Sequence, residues 1–199
     1  MIENPLKEKL KNHKLILGSG SPRRKQFLED LGLDFEVRPK SVEEIYPEEL
    51  QGSQISDFLA VLKAGPFLGT LKSNEIVITS DTVVWHKGTS LAKAPNQEEA
   101  LRMLQTMSGD WHEVITSVCF TTPREQKVVS ATTQVKFMDF TKEELQYYIA
   151  QCQPFDKAGA YGIQEWIGMV GISKIKGSYT NVVGLPTNLV YKTLMQLVS

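Results

Sequence analysis

The sequence runs from Leu15-Ile16-Leu17 straight into Gly18-Ser19-Gly20-Ser21-Pro22, and this junction constrains the fold more than any other stretch. Three consecutive apolar residues read as a buried strand. The glycines allow a tight turn, and Ser21 is a good N-cap. Pro22 suits the first helical position, where its missing N–H has no partner to lose. Phe27, Leu28 and Leu31 mark the inward face of the helix that follows, and Gly32 ends it. Phe35 and Val37 then alternate as a second strand. Strand, turn and capped helix in succession open an α/β chain.

The remaining pattern agrees. Ile55, Phe58, Leu59, Leu62 and Leu68 keep helical spacing from Gln54 to Leu71, with a kink or break at Gly65-Pro66. The β-rich runs Ile76–Ile78 and Val83–Trp85 flank Ser80-Asp81-Thr82, which puts Asp81 where a strand ends. Asn96 caps a helix through Met107 that stops at Gly109. Val114–Thr122 and Val128–Phe137 read as paired long strands joined by a polar turn, residues 123–127. Thr141 with Glu144 three residues on is a capping box for a helix to Gln151. A strand over Val170–Ile175 and a helix over Gly184–Val198 close the chain. The expected fold is α/β, with a mixed sheet and flanking helices rather than a pure doubly wound sheet. No linker or internal repeat divides the 199 residues, so 1–199 is read as one domain.

Several function classes drop out. Lys+Arg is 22 and Asp+Glu is 23, a net charge of −1 that argues against a protein coating nucleic acid by charge. Cys119 and Cys152 are too few for a disulfide scaffold and read as free thiols in a reducing compartment. The polar start MIENPLKEKLKNHK lacks the apolar core of a signal peptide, and no run is long enough to span a membrane. A cytoplasmic protein is expected. His13, His86 and His112 are too scattered for a zinc site. There is no G-x-S-x-G elbow, no P-loop and no dinucleotide-binding glycine spacing.

What remains points to an anion. Residues 1–40 hold nine Lys/Arg against six Asp/Glu, whereas no basic residue occurs between Lys40 and Lys63, where Glu43, Glu44, Glu48, Glu49 and Asp57 fall. Arg23 and Arg24 sit in the first turn of a helix, where the macrodipole disfavours cations unless an anion is near. A glycine-rich turn leading into a helix start is suited to phosphate. Asp81 can bind a divalent cation or take a proton from water, or simply cap a turn. Lys63 and Lys93 can reach a phosphate, or snorkel at the surface. Residues 155–165 crowd small residues beside charges, and Gln164 offers a donor and an acceptor for a base edge.

Together these segments resemble the Maf family of nucleotide pyrophosphatases. The resemblance rests on Ser19-Gly20-Ser21-Pro22-Arg23-Arg24, Ser80-Asp81-Thr82-Val83-Val84, Ser108-Gly109 with His112-Glu113-Val114, Asp156 through Gln164, and Gly177-Ser178-Tyr179 with Val183-Gly184-Leu185-Pro186. It implies an elongated mixed sheet and two lobes around a central cleft, related to the inosine triphosphate pyrophosphatases. It also implies hydrolysis of a nucleoside triphosphate to the monophosphate and pyrophosphate with a divalent metal, Mg²⁺ or Mn²⁺. Arg23, Thr82 and Gln164 match the branch acting on dTTP and UTP, with modified pyrimidine nucleotides as further candidates, and would set base preference. By the same resemblance Asp81 would activate water or hold the metal, and Glu44 would help with the metal. Arg23, Arg24, Lys63 and Lys93 would hold phosphates, and Ser19 would line their turn. A homodimer is the family's expected assembly.

The sequence departs from the family pattern around Lys63 (Ala60-Val61-Leu62-Lys63-Ala64), around Lys93 (Ala92-Lys93-Ala94-Pro95), and at Glu165-Trp166 after Gln164. A non-catalytic nucleotide-binding regulator of cell division is the competing reading; it leaves the acid and the basic set without a task.

Overall fold

The computed structural model describes residues 3–198. Among them β1 (Lys14–Leu17), β2 (Phe35–Val37), β3 (Glu75–His86), β4 (Thr89–Leu91), β5 (Trp111–Thr121), β6 (Gln126–Phe137) and β7 (Ile172–Lys176) form a seven-stranded sheet. The order is β2-β1-β3-β5-β6-β7, with β4 paired to the far end of β3. β1 runs parallel to β2 and β3, and the other pairs are antiparallel. The sheet is therefore mixed, as the alternation of short and long strands implies.

The helices are α1 (Pro5–Leu10), α2 (Pro22–Asp30), α3 (Ser53–Ala64), α4 (Gln97–Met107), α5 (Lys142–Cys152), α6 (Trp166–Gly171), α7 (Tyr179–Val183) and α8 (Thr187–Leu197). Alternate residues of a strand face opposite sides of the sheet, and β3 uses both. Ile76 and Ile78 pack with Leu15, Leu17, Leu28 of α2 and Leu194 of α8. Val84, on the same face but at the other end of β3, packs with Leu104 of α4, Phe137 and Tyr148 of α5. On the opposite face Val83 meets Ile55 and Leu59 of α3. Two core clusters thus cover the two ends of β3, and Ser80-Asp81-Thr82 lies between them. Close approach accounts for one glycine: a Cβ on Gly18 would stand 2.8 Å from Thr79 Cγ2.

Three local expectations change. Ser80-Asp81-Thr82 does not end a strand; it is the middle of β3, paired without interruption to β5 from Val77↔Thr121 to Trp85↔Glu113. Two hydroxyls along this stretch find partners: Thr79 Oγ1 donates to Ala60 O at 2.7 Å, and Thr82 shares a proton with Thr116 at 3.0 Å, while Ser80 Oγ is buried with no hydrogen-bond partner among the described residues. The apolar run after Trp166 folds as α6 through Gly171, so β7 starts at Ile172 rather than Val170. The last helix starts at Thr187, because Gly184 at φ 124° ends the short α7 first. The polar N-terminus contains α1, capped by the Asn4 side chain. No helix of the described residues is long and apolar enough to cross a membrane.

Candidate active site

A cleft of about 760 Å³ opens at the middle of β3. The structure brings all nine residues singled out in the sequence to its wall. Ser19, Arg23 and Arg24 come from the first turn and α2; Glu44 comes from the loop before α3, and Lys63 from α3 itself. Asp81 and Thr82 come from β3, Lys93 from the segment after β4, and Gln164 from the turn before α6.

Asp81 is 6% exposed. Its Oδ1 accepts from Lys63 Nζ at 2.6 Å, and the same ammonium lies 3.1 Å from Glu44 Oε2. One cation therefore stands between two carboxylates. No group of three or more ligating His, Cys, Asp or Glu side chains occurs among the described residues. An oxygen-only pair fits a hard divalent ion of the kind that takes one or two carboxylates and completes its shell with water and substrate phosphate. It does not form a protein cage.

The two arginines resolve their conflict with the helix dipole differently. Arg23 NH1 finds an anion within the chain, Asp156 Oδ2 at 3.2 Å. Arg24 turns inward. Its Nε donates to Gly184 O at 3.0 Å, NH1 to Ser80 O at 2.7 Å and to Ser19 Oγ at 3.4 Å, and NH2 to Thr82 Oγ1 at 3.2 Å. A guanidinium has five N–H donors, so four are committed to the framework and one is left for the cleft. Burial lowers the Arg24 pKa from its ordinary value, against the pull of the Asp81 charge. Ser19 Oγ also accepts from Ser21 N at 3.2 Å, which leaves its own proton free to donate.

Lys93 is positioned by a lone antiparallel bridge to Ala158, and its ammonium has no ion-pair partner among the described residues. The exposed Gln164 side chain likewise has no hydrogen-bond partner there. Three charged residues of the cleft wall have no role assigned from sequence: Lys40, Asp156 and Lys157. Lys157 Nζ bridges Asp156 Oδ1 at 2.6 Å and Glu165 Oε1 at 2.9 Å. Burial alone would raise the Asp156 pKa, but hydrogen bonds from Lys157 and Arg23 hold it below the ordinary value. The density of charges beside glycines in 155–165 signals this cluster; its pairing with a helix over a hundred residues away does not show in the pattern.

Residues 14–197 match the family model described as Maf-like protein. A relative from Flavobacterium johnsoniae named dTTP/UTP pyrophosphatase is 56% identical, covering 97% of this chain and 100% of its own. A second of that name, from Christiangramia forsetii, is 51% identical over 98% of this chain and 99% of its own. Among solved structures, the Staphylococcus aureus Ham1 protein matches 63% of this chain and 72% of its own, at 17% identity and a TM-score of 0.44.

Proposed function

The chain belongs to the Maf-like protein family, and on that premise we propose that its cleft hydrolyses a nucleoside triphosphate, dTTP or UTP, at the α–β phosphoanhydride bond. The names of its relatives support both the reaction and the pyrimidine bases. One observation carries the assignment: a buried carboxylate, Asp81, held by Lys63 in mid-strand, in a cleft that also gathers Arg23 and Lys93.

Hydrolysis needs a water aimed at the α-phosphorus and a stabilised pyrophosphate leaving group. Asp81 orients or deprotonates that water. Water oxygen bonds to the α-phosphorus, the bridging P–O bond breaks, and its electron pair leaves with pyrophosphate. Arg23, Lys63, Lys93 and the remaining Arg24 proton meet the charge on the phosphate chain, with Ser19 donating at the turn. Glu44 and Asp81 would hold Mg²⁺ or Mn²⁺, which supplies Lewis acidity toward phosphoryl oxygens when bound. Gln164, Thr82 and Arg23 would set base preference, and modified pyrimidine nucleotides fit the same description. The two core clusters at the ends of β3 support a reading of the single domain as two lobes around the cleft. A nucleotide substrate and two free thiols suit the cytoplasm.

The test is a panel of dTTP, UTP, CTP and 7-methyl-GTP with Mg²⁺ or Mn²⁺, read as monophosphate and pyrophosphate. Release from dTTP and UTP is expected. Turnover of none would favour a non-catalytic nucleotide-binding regulator, and turnover of 7-methyl-GTP alone would overturn the base assignment.

A further inference from the structure

The turn that displays Gln164 is held in a shape it would not adopt alone. Ala160 has φ 54°, a region that a residue with a side chain rarely occupies unless its surroundings over-determine it. Those surroundings are visible on both sides of Gln164. On one side the Tyr161 hydroxyl shares a proton with His112 Nε2 at 2.7 Å, in the buried core. On the other side stands Glu165.

Glu165 Oε2 accepts from the hydroxyl of Tyr148, a fully buried residue of α5. That hydroxyl has one proton to give and gives it to Glu165; its oxygen then accepts from Gly162 N at 3.0 Å. The second carboxylate oxygen, Oε1, takes Lys157 Nζ at 2.9 Å. The carboxylate also packs on Gly162 itself, where an added Cβ would stand 2.9 Å from Glu165 Cδ. One side chain thus ties the end of the turn to α5, orients the group that holds the Gly162 amide, and anchors the lysine at the turn's start. Gln164 has no such tie among the described residues, so its aim is inherited from the backbone on either side.

We propose that Glu165 is a positioning residue for base recognition: it fixes the 157–165 turn so that the Gln164 amide meets the edge of a pyrimidine. This rests on the pyrophosphatase reading for its substrate, but the role itself is testable by binding. Glu165→Ala removes both ties. Glu165→Gln keeps an oxygen that accepts from Tyr148 and loses only the ion pair with Lys157. Because Gln164 addresses the base and Asp81 the reacting phosphate, loss of positioning falls on KM and leaves kcat nearly unchanged.

For Glu165→Ala, KM for UTP and dTTP is expected to rise about tenfold, the equivalent of one lost charged hydrogen bond, with kcat within about twofold of wild type. Glu165→Gln recovers most of the loss. Calorimetric titration with UMP and with AMP gives the same comparison without turnover: the alanine variant loses affinity for UMP and not for AMP. Amide exchange over residues 160–164 accelerates in the alanine variant and not in the glutamine variant. An alanine variant with unchanged UMP affinity overturns the proposal, as does one that loses UMP and AMP equally, or a wild type that binds UMP no better than AMP. If wild type hydrolyses no nucleotide, the catalytic reading fails, and UMP binding still decides the role of Glu165.

Discussion

Asp81 and Thr82 are neighbours on β3, yet they work on opposite faces of the sheet. Asp81 meets Lys63 of α3, whereas Thr82 meets Arg24 of α2 and Thr116 of β5. The alternation of a strand makes this inevitable once the strand is continuous. Replacing Asp81 by Asn keeps the volume and removes the charge, so turnover is expected to vanish while nucleotide affinity, measured by titration, stays close to wild type. Pyrophosphate release near the wild-type rate would contradict the assigned role. Arg24 is a different kind of residue. Its charge stands at a helix start, where the dipole disfavours a cation unless an anion is near, and four of its five N–H groups go to the framework, with Gly184 O and Ser80 O among the acceptors. Arg24→Ala leaves those carbonyls unpaired and should cost roughly 2–4 kcal/mol, seen in thermal denaturation as a midpoint on the order of 10 °C lower. An unchanged midpoint would show that the framework role is wrong.

Elements with local signals were legible and those fixed by distant partners were not. The capping box of α5 is complete within four residues, and both of its hydrogen bonds form: Thr141 N donates to Glu144 Oε2 at 2.7 Å, and Glu144 N to Thr141 Oγ1 at 3.2 Å. Thr141→Ala is therefore expected to lower stability to urea by about 1 kcal/mol without changing kcat, because α5 supports the core and lies outside the cleft wall. The middle of β3 carries no local signal. Its polar Ser80-Asp81-Thr82 is strand because β5 pairs every residue across it, from a position far along the chain. The start of β7 was blurred for a related reason, since Val170 belongs by composition to either element and the backbone gives it to α6.

At the scale of the molecule, a net charge of −1 conceals a cleft where opposed charges meet in pairs. Arg23 belongs to the helix that packs Leu28 into one core cluster, and Asp156 follows Phe155, which packs on the other, so their ion pair crosses the cleft. Sequence supplied the residues of this arrangement in order; only packing brings them together. One buried group outside the cleft ties folding to pH. Burial, with a smaller push from His86, lowers the His112 pKa from 6.5 to about 3. Below pH 6.5 the unfolded chain binds a proton there that the native protein refuses, so this contribution to stability is lost as pH falls toward 3. The slope is at most about 1.4 kcal/mol per pH unit, and unfolding free energies from urea titrations at pH 7 and pH 5 should differ by about 2 kcal/mol. His112→Asn should flatten that difference; an equally steep loss in the variant would assign it elsewhere.

The central claim is that this cleft directs water to the α-phosphorus of a pyrimidine nucleoside triphosphate. It is tested most directly by hydrolysing UTP with Mg²⁺ in ¹⁸O-labelled water and reading the products by ³¹P NMR. The account predicts UMP carrying the label and unlabelled pyrophosphate, in equal amounts, with no product from Asp81→Asn. Label in released orthophosphate, with UDP as the partner product, would contradict it.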